Sequence, residues 1–265
     1  MSESNSSGYL QALFGLSGKT AVVIGGTGVL GGAIADALAQ AGAHVVIVGR
    51  NAENGAGRVK MIETLHGSAE FFAADSTSRA DLEALVAHLK AKGQVAEILV
   101  NGAGINAATP FLEISDEEWE RIFRVNLLSV KVACQVFGQA MLDENVAGSI
   151  INIASMSAIT PLSRVFTYSA SKAAVLNLTQ NLAREWAERD IRVNALSPGF
   201  FPAEQNRKVL TPERISSIMT HTPARRFGDP DELAGAVLLM ASGKAGSFIT
   251  GSNIAVDGGF SCMTI

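Results

Sequence analysis

Short apolar runs alternate with longer amphipathic ones along almost the whole chain. Lys19 to Ile24 is rich in β-branched residues and is followed by Gly25-Gly26-Thr27-Gly28-Val29-Leu30-Gly31-Gly32, after which Ala33 to Ala41 carries helical periodicity. That order predicts strand, glycine turn, helix. His44 to Val48 predicts a second strand, and Asn51 to His66 a helix with Asn51 as its N-cap. Ala69 to Ala73, Glu97 to Val100, Ser149 to Ile153, Ile191 to Ala195 and Ser252 to Val256 predict the remaining strands. Between them lie helical stretches over Arg79 to Ala91 and Tyr168 to Glu188, and one opening at Pro230. A longer helix runs from Asp116 to about Glu144, opened by a capping box of Ser115 and Glu118.

Strands and helices alternating through short turns predict an α/β fold. The expected architecture is a single doubly wound Rossmann-type domain, a mainly parallel seven-stranded sheet flanked by helices. Residues 1–15 read as a flexible polar N-terminal tail and 16–265 as the one domain, since no linker, low-complexity segment or repeat divides them. Ligands of such sheets lie at the carboxyl ends of the strands. The glycine turn, Asn101-Gly102, Ser155 and Pro198-Gly199 all follow strands, so the topology gathers them on one edge.

Composition narrows the choice of function. Hydrophobic residues make up 48% of the 265 and charged ones 17%, which excludes disorder and suits a sheet covered on both faces. The net charge is −4 and no Lys/Arg block occurs, so nucleic acid is excluded as an expected partner. No apolar stretch in the sequence approaches the roughly 18 residues of a membrane span, and Met1-Ser2-Glu3-Ser4-Asn5 lacks the basic start of a signal peptide. No membrane partner and a cytoplasmic location are therefore expected. Cys134 and Cys262 have no metal or disulfide spacing, and His44, His66, His88 and His221 stand singly, so no metal site is expected.

The candidate chemistry lies in Tyr168-Ser169-Ala170-Ser171-Lys172, with Ser155 upstream at the end of an apolar strand. A four-residue spacing puts the phenol and the ammonium on one helix face, and an adjacent cation favours the phenolate. Tyr168 can then exchange a proton with a carbonyl oxygen that Ser155 holds. The glycine turn from Gly25 to Gly31 lets backbone N–H groups approach a pyrophosphate at a helix N-terminus, so a dinucleotide is the natural ligand. The second strand ends in Val48-Gly49-Arg50, where an acidic residue would bond a free ribose 2′-hydroxyl. Arg50 can instead pair with a 2′-phosphate, which favours NADP(H) over NAD(H). Asp75, after the third strand, is a candidate for the adenine amino group or a cap for the next turn.

In these motifs the chain resembles the classical short-chain dehydrogenase/reductase family from Leu16 to the end. The resemblance implies that Asn101-Gly102-Ala103-Gly104 supports the central strand and lines the adenosine site, with Asp75 and Ser76 nearby. It implies phosphate contacts from Gly25, Thr27, Gly28, Val29, Leu30 and Gly31, and passage of Pro198, Gly199 and Phe201 beside the nicotinamide. Asn126 would hold a water in a proton relay, Tyr168 transfer the proton, Lys172 lower its pKa and hold the nicotinamide ribose, and Ser155 orient the substrate. A homotetramer is also implied.

The sequence departs from the family pattern twice. Val29 stands where a glycine is usual, and Ala203 where a threonine commonly follows Pro-Gly. Pro198 to Arg207, the glycine turn and Val256-Asp257-Gly258-Gly259-Phe260 look like the sugar-acid branch, described as D-mannonate oxidoreductases or fructuronate reductases, with gluconate 5-dehydrogenase-like proteins nearby. Gln205, Asn206 and Arg207 offer hydrogen bonds and a cation for a polyhydroxy acid, and Gln205 and Asn206 are the candidate substrate contacts, with Ser155 and Tyr168. Alternatives are a lipid or 3-oxoacyl-thioester ketone as substrate, a serine acyltransferase using Ser169-Ala170-Ser171-Lys172, or a nucleotide-binding regulator without turnover.

Overall fold

The computed structural model describes residues 3–201 and 211–263. Its centre is a seven-stranded sheet in the order β3-β2-β1-β4-β5-β6-β7. The strands are β1 (Thr20–Ile24), β2 (His44–Gly49), β3 (Ser68–Ala73), β4 (Ala96–Asn101), β5 (Gly148–Ile153), β6 (Ile191–Pro198) and β7 (Asn253–Val256). Every neighbouring pair is parallel, with Val22 registered on Val46 to one side and on Leu99 to the other. Strand order reverses between β1 and β4, the switch point at which open α/β sheets bind ligands.

The helices are α1 (Glu3–Phe14), α2 (Val29–Gln40), α3 (Ala52–Thr64), α4 (Arg79–Ala91), α5 (Asp116–Phe123), α6 (Ser129–Asp143), α7 (Phe166–Trp186), α8 (Pro212–His221) and α9 (Ala234–Ala241). Successive residues of one strand face opposite ways. Val22 and Ile24 therefore pack with Leu82, Leu85, Phe137, Met141 and Val175 on the side of α4, α6 and α7. Ala21 and Val23 pack with Ile34, Leu38, Val237 and Met240 on the side of α2 and α9. Trimming a fully buried ring such as Phe137 to alanine costs about 3–5 kcal/mol in a core of this kind.

Local signals place the helix starts. Asn51 accepts from the Asn54 N–H, Ser78 from Asp81 and Ser115 from Glu118, each satisfying an amide that the first helical turn leaves unpaired. Asp229 and Glu232 form a full capping box around a 3₁₀ turn, Pro230–Leu233, that leads into α9.

Two expectations change. The N-terminal segment expected to be a flexible tail carries α1, tied to the body where the Ser242 hydroxyl donates to the Leu13 carbonyl at 2.6 Å. Residue-level polarity hid this, because the anchor lies at the far end of the chain. The long helix after Ser115 is also interrupted, by a π turn over Arg124–Leu128 between α5 and α6. By length and mean hydropathy the whole stretch Asp116–Asp143 would suffice to cross a membrane, yet 56% of its apolar window is buried inside the domain.

Candidate active site

The glycine turn is shaped by missing side chains. Gly25 has φ +82°, and a Cβ there would stand 2.8 Å from the Ala103 nitrogen; a Cβ on Gly31 would stand 2.2 Å from the Gly25 oxygen. The turn thus lies against the Gly102-Ala103 backbone at the end of β4, where Gly102 N–H donates to the Ile24 carbonyl at 2.9 Å. Gly28 caps α2 without a side-chain hydrogen bond, and Val29, Leu30 and Gly31 form its first turn. Those amides are available to an anion. Val29, 44% exposed, opens the helix without blocking it, so the departure from the glycine pattern leaves the turn intact.

At the end of β2, the Thr27 side chain occupies the space that Gly49 leaves: a Cβ on Gly49 would lie 2.8 Å from Thr27 Oγ1. Arg50 next to it is exposed. One Asp75 oxygen accepts from the Thr77 N–H at 2.8 Å and the Thr77 hydroxyl at 2.9 Å, the capping role weighed for it, with Ser76 inside that turn. Asn101 differs from its neighbours, because its side chain turns into the core and donates to Asn152 Oδ1 at 2.8 Å. Asn152 in turn donates to Thr179 at 2.9 Å, linking β4, β5 and α7. The residues around these glycines thus suit a pyrophosphate and its ribose.

The proton-transfer candidates converge at the carboxyl end of β5. Ser155 follows that strand and caps a 3₁₀ turn, Met156–Ala158. Its hydroxyl hydrogen-bonds the Tyr168 phenol, while burial pushes that phenol above its ordinary value and the Ser155 bond opposes the rise. Lys172 is buried, and its Nζ lies 5.7 Å from the Tyr168 ring centroid while donating to the Ile153 carbonyl at 2.7 Å. Desolvation brings that ammonium down to about 8. An adjacent lysine was expected to lower the phenol. Instead burial dominates both groups, and the opposing influence on Tyr168 comes from Ser155.

Asn126 sits in the π turn, an irregularity frequent at functional sites. Its side chain clasps the loop after β4, accepting from the Ile105 N–H at 2.8 Å and donating to the Ile105 carbonyl at 2.9 Å. It also donates to Ser171 Oγ at 3.0 Å, and Ser171 donates to the Tyr168 carbonyl at 2.7 Å. A Cβ on Gly104 would be 3.4 Å from both Asn126 Oδ1 and Lys172 Nζ, so the two atoms border one small space.

Gly199 N–H donates to the Val256 carbonyl at 2.9 Å, fixing the Pro198-Gly199 passage beside β7. Phe201 packs its ring against Gly228 and the core on the α2 side. Gln205, Asn206, Arg207 and Ala203 lie outside the described residues. Reading the sequence missed Ser157, which contacts Ser155 directly. It also missed two arginines, Arg164 on the connection between Ser155 and Tyr168, held at φ +63°, and Arg214 of α8, which donates to Ser163 of that connection at 3.4 Å. Their signal was position alone, on the connection between Ser155 and Tyr168 and on the helix across from it.

Comparison with known proteins agrees with this fold. The family model described as enoyl-(acyl carrier protein) reductase matches residues 27–261. Galactitol 2-dehydrogenase of Rhizobium johnstonii is 38% identical, covering 95% of this chain and 98% of its own. The 5-keto-D-gluconate 5-reductase of Escherichia coli K12 is 33% identical over 93% and 97%. The crystal structure of a gluconate 5-dehydrogenase from Burkholderia cenocepacia, in complex with NADP and tartrate, superposes with TM-score 0.90 at 32% identity, covering 96% and 99%. The chain belongs to the short-chain dehydrogenase/reductase family of oxidoreductases.

Proposed function

We propose that this enzyme interconverts a ketone and a secondary alcohol on a sugar acid of the gluconate or fructuronate/mannonate type, using NADP(H) in preference and NAD(H) as the alternative. The observation that carries the reading is the Ser155–Tyr168 hydrogen bond beside the buried Lys172. A bound nicotinamide supplies or accepts the hydride. In the reductive direction Ser155 orients the carbonyl oxygen and Tyr168, protonated at neutral pH, delivers its proton there. Lys172 holds the ribose and Asn126 supports the relay behind it. The glycine turn, with Gly25 and Gly31, cradles the pyrophosphate, and Arg50 meets the 2′-phosphate.

Names among the relatives include both sugar alcohols and sugar acids. Arg164 and Arg214 favour the acid, because each lacks a carboxylate partner among the described residues and a guanidinium matches a substrate carboxylate. Gln205 and Asn206 are proposed to meet the hydroxyls. The exposed apolar side chains of Phe111, Leu112, Ile159 and Phe166, with the Phe111 and Phe166 rings in edge contact, favour a second reading, a lipid or acyl-thioester ketone. NADPH and NADH oxidation across keto-sugar acids, polyol-derived ketones and acetoacetyl thioesters separates the two; turnover of the thioester alone sinks the sugar-acid assignment. A homotetramer is also proposed, supported by half-exposed Trp119 and Leu128 along Asp116–Asp143 and by fully exposed Phe248 before β7.

A further inference from the structure

Ser157 is buried two residues beyond Ser155 and turns back on it. The Ser157 N–H donates to Ser155 Oγ at 3.1 Å, and the Ser157 hydroxyl lies 3.0 Å from the same oxygen. The N–H contact is the cap of the 3₁₀ turn; the hydroxyl contact is additional, and no capping requirement explains it.

A serine hydroxyl has one proton and two lone pairs. The cap occupies one lone pair whatever else happens. If the Ser157 hydroxyl donates into the other, the Ser155 proton has one direction left, toward the Tyr168 phenol and the space in front of it. If Ser157 accepts instead, Ser155 presents a lone pair to a substrate oxygen or a phenolate and repels both. We propose that Ser157 is a positioning residue that commits Ser155 to act as a donor. This rests on the oxidoreductase reading above. It makes the Ser155 contact directional, so that it stabilises a phenolate on Tyr168 during alcohol oxidation and holds the ketone oxygen during reduction.

The chain contains only two tyrosines, Tyr9 and Tyr168, so the difference in tyrosinate absorbance between the intact protein and Tyr168→Phe follows Tyr168 without any substrate. Ser157→Ala is expected to raise the apparent pKa of Tyr168 by about one, the worth of one hydrogen bond, with Tyr168→Phe assigning the signal. The kcat for alcohol oxidation near neutral pH then falls about tenfold at nearly constant KM, and its pH limb moves upward by the same amount. In a Ser155→Ala background the second substitution adds nothing, because its effect runs through Ser155. Ser157→Thr, which keeps the hydroxyl, returns the titration toward the parent value. An unchanged Tyr168 titration in Ser157→Ala, or the same loss with Ser155 already removed, overturns the proposal. Failure of every keto-sugar acid to turn over touches only the substrate assignment, since the titration needs none.

Discussion

The two halves of the site are built by opposite means. The turn between β1 and α2 works through absent atoms: Gly25 and Gly31 make space, and bare backbone amides are its polar groups. The cluster between β5 and α7 works through side chains taken out of water, with Ser155, Ser157, Asn126 and Lys172 all buried. An omission is robust to its surroundings, since a missing Cβ makes space whatever lies nearby. A buried donor has properties only in context, and the movement of the Tyr168 and Lys172 pKa values away from ordinary shows that context at work.

The contrast predicts different failures. Tyr168→Phe removes the proton carrier alone, so kcat is expected to fall by about a thousandfold while dinucleotide binding by titration calorimetry is unchanged. Loss of binding as well would show that the halves are not separable. Gly31→Ala strikes the other half: a methyl 2.2 Å from the Gly25 oxygen forces the turn to move. Dinucleotide Kd is expected to rise about a hundredfold, with about 1–3 kcal/mol of stability lost in urea melts. A wild-type Kd in that variant breaks the assignment of the turn.

On the connection before Tyr168 and on α8, Arg164→Gln combined with Arg214→Gln should lower kcat/KM for keto-sugar acids about tenfold, roughly 1.4 kcal/mol, and spare polyol-derived ketones. Equal loss on both substrate classes argues that the arginines only hold the loop. The smallest effect is in the pH profile. Lys172 carries its proton below about 8 and loses it above, so its charge is present at neutral pH and absent in mild alkali. The kcat/KM for ketone reduction, which reports groups of the free enzyme, should be level near neutrality and decline several-fold above about 8. A level profile through pH 10 would detach Lys172 from the reaction.

Much of the fold was legible because its signals are local. The helix over Arg79 to Ala91 emerges with the bounds read from periodicity, and the Asn51 and Ser115 caps bond as their types suggest. Strand ends were less so: β6 continues to Pro198 because β7, some sixty residues on, supplies its partners. The π turn around Asn126 escaped notice since Arg124-Val125-Asn126-Leu127 satisfies ordinary helical periodicity. Helix α1 escaped because Ser242 anchors it.

Alternation of apolar runs, the glycine spacing and the Tyr168–Lys172 interval were enough to determine a doubly wound sheet and to nominate its reactive side chains, because periodicity and residue chemistry act over a few neighbouring residues. Tertiary structure alone decided that Ser157 meets Ser155, that Asn126 clasps Ile105, and that burial rather than the lysine governs the phenol. Desolvation and hydrogen-bond direction depend on groups that only folding brings together.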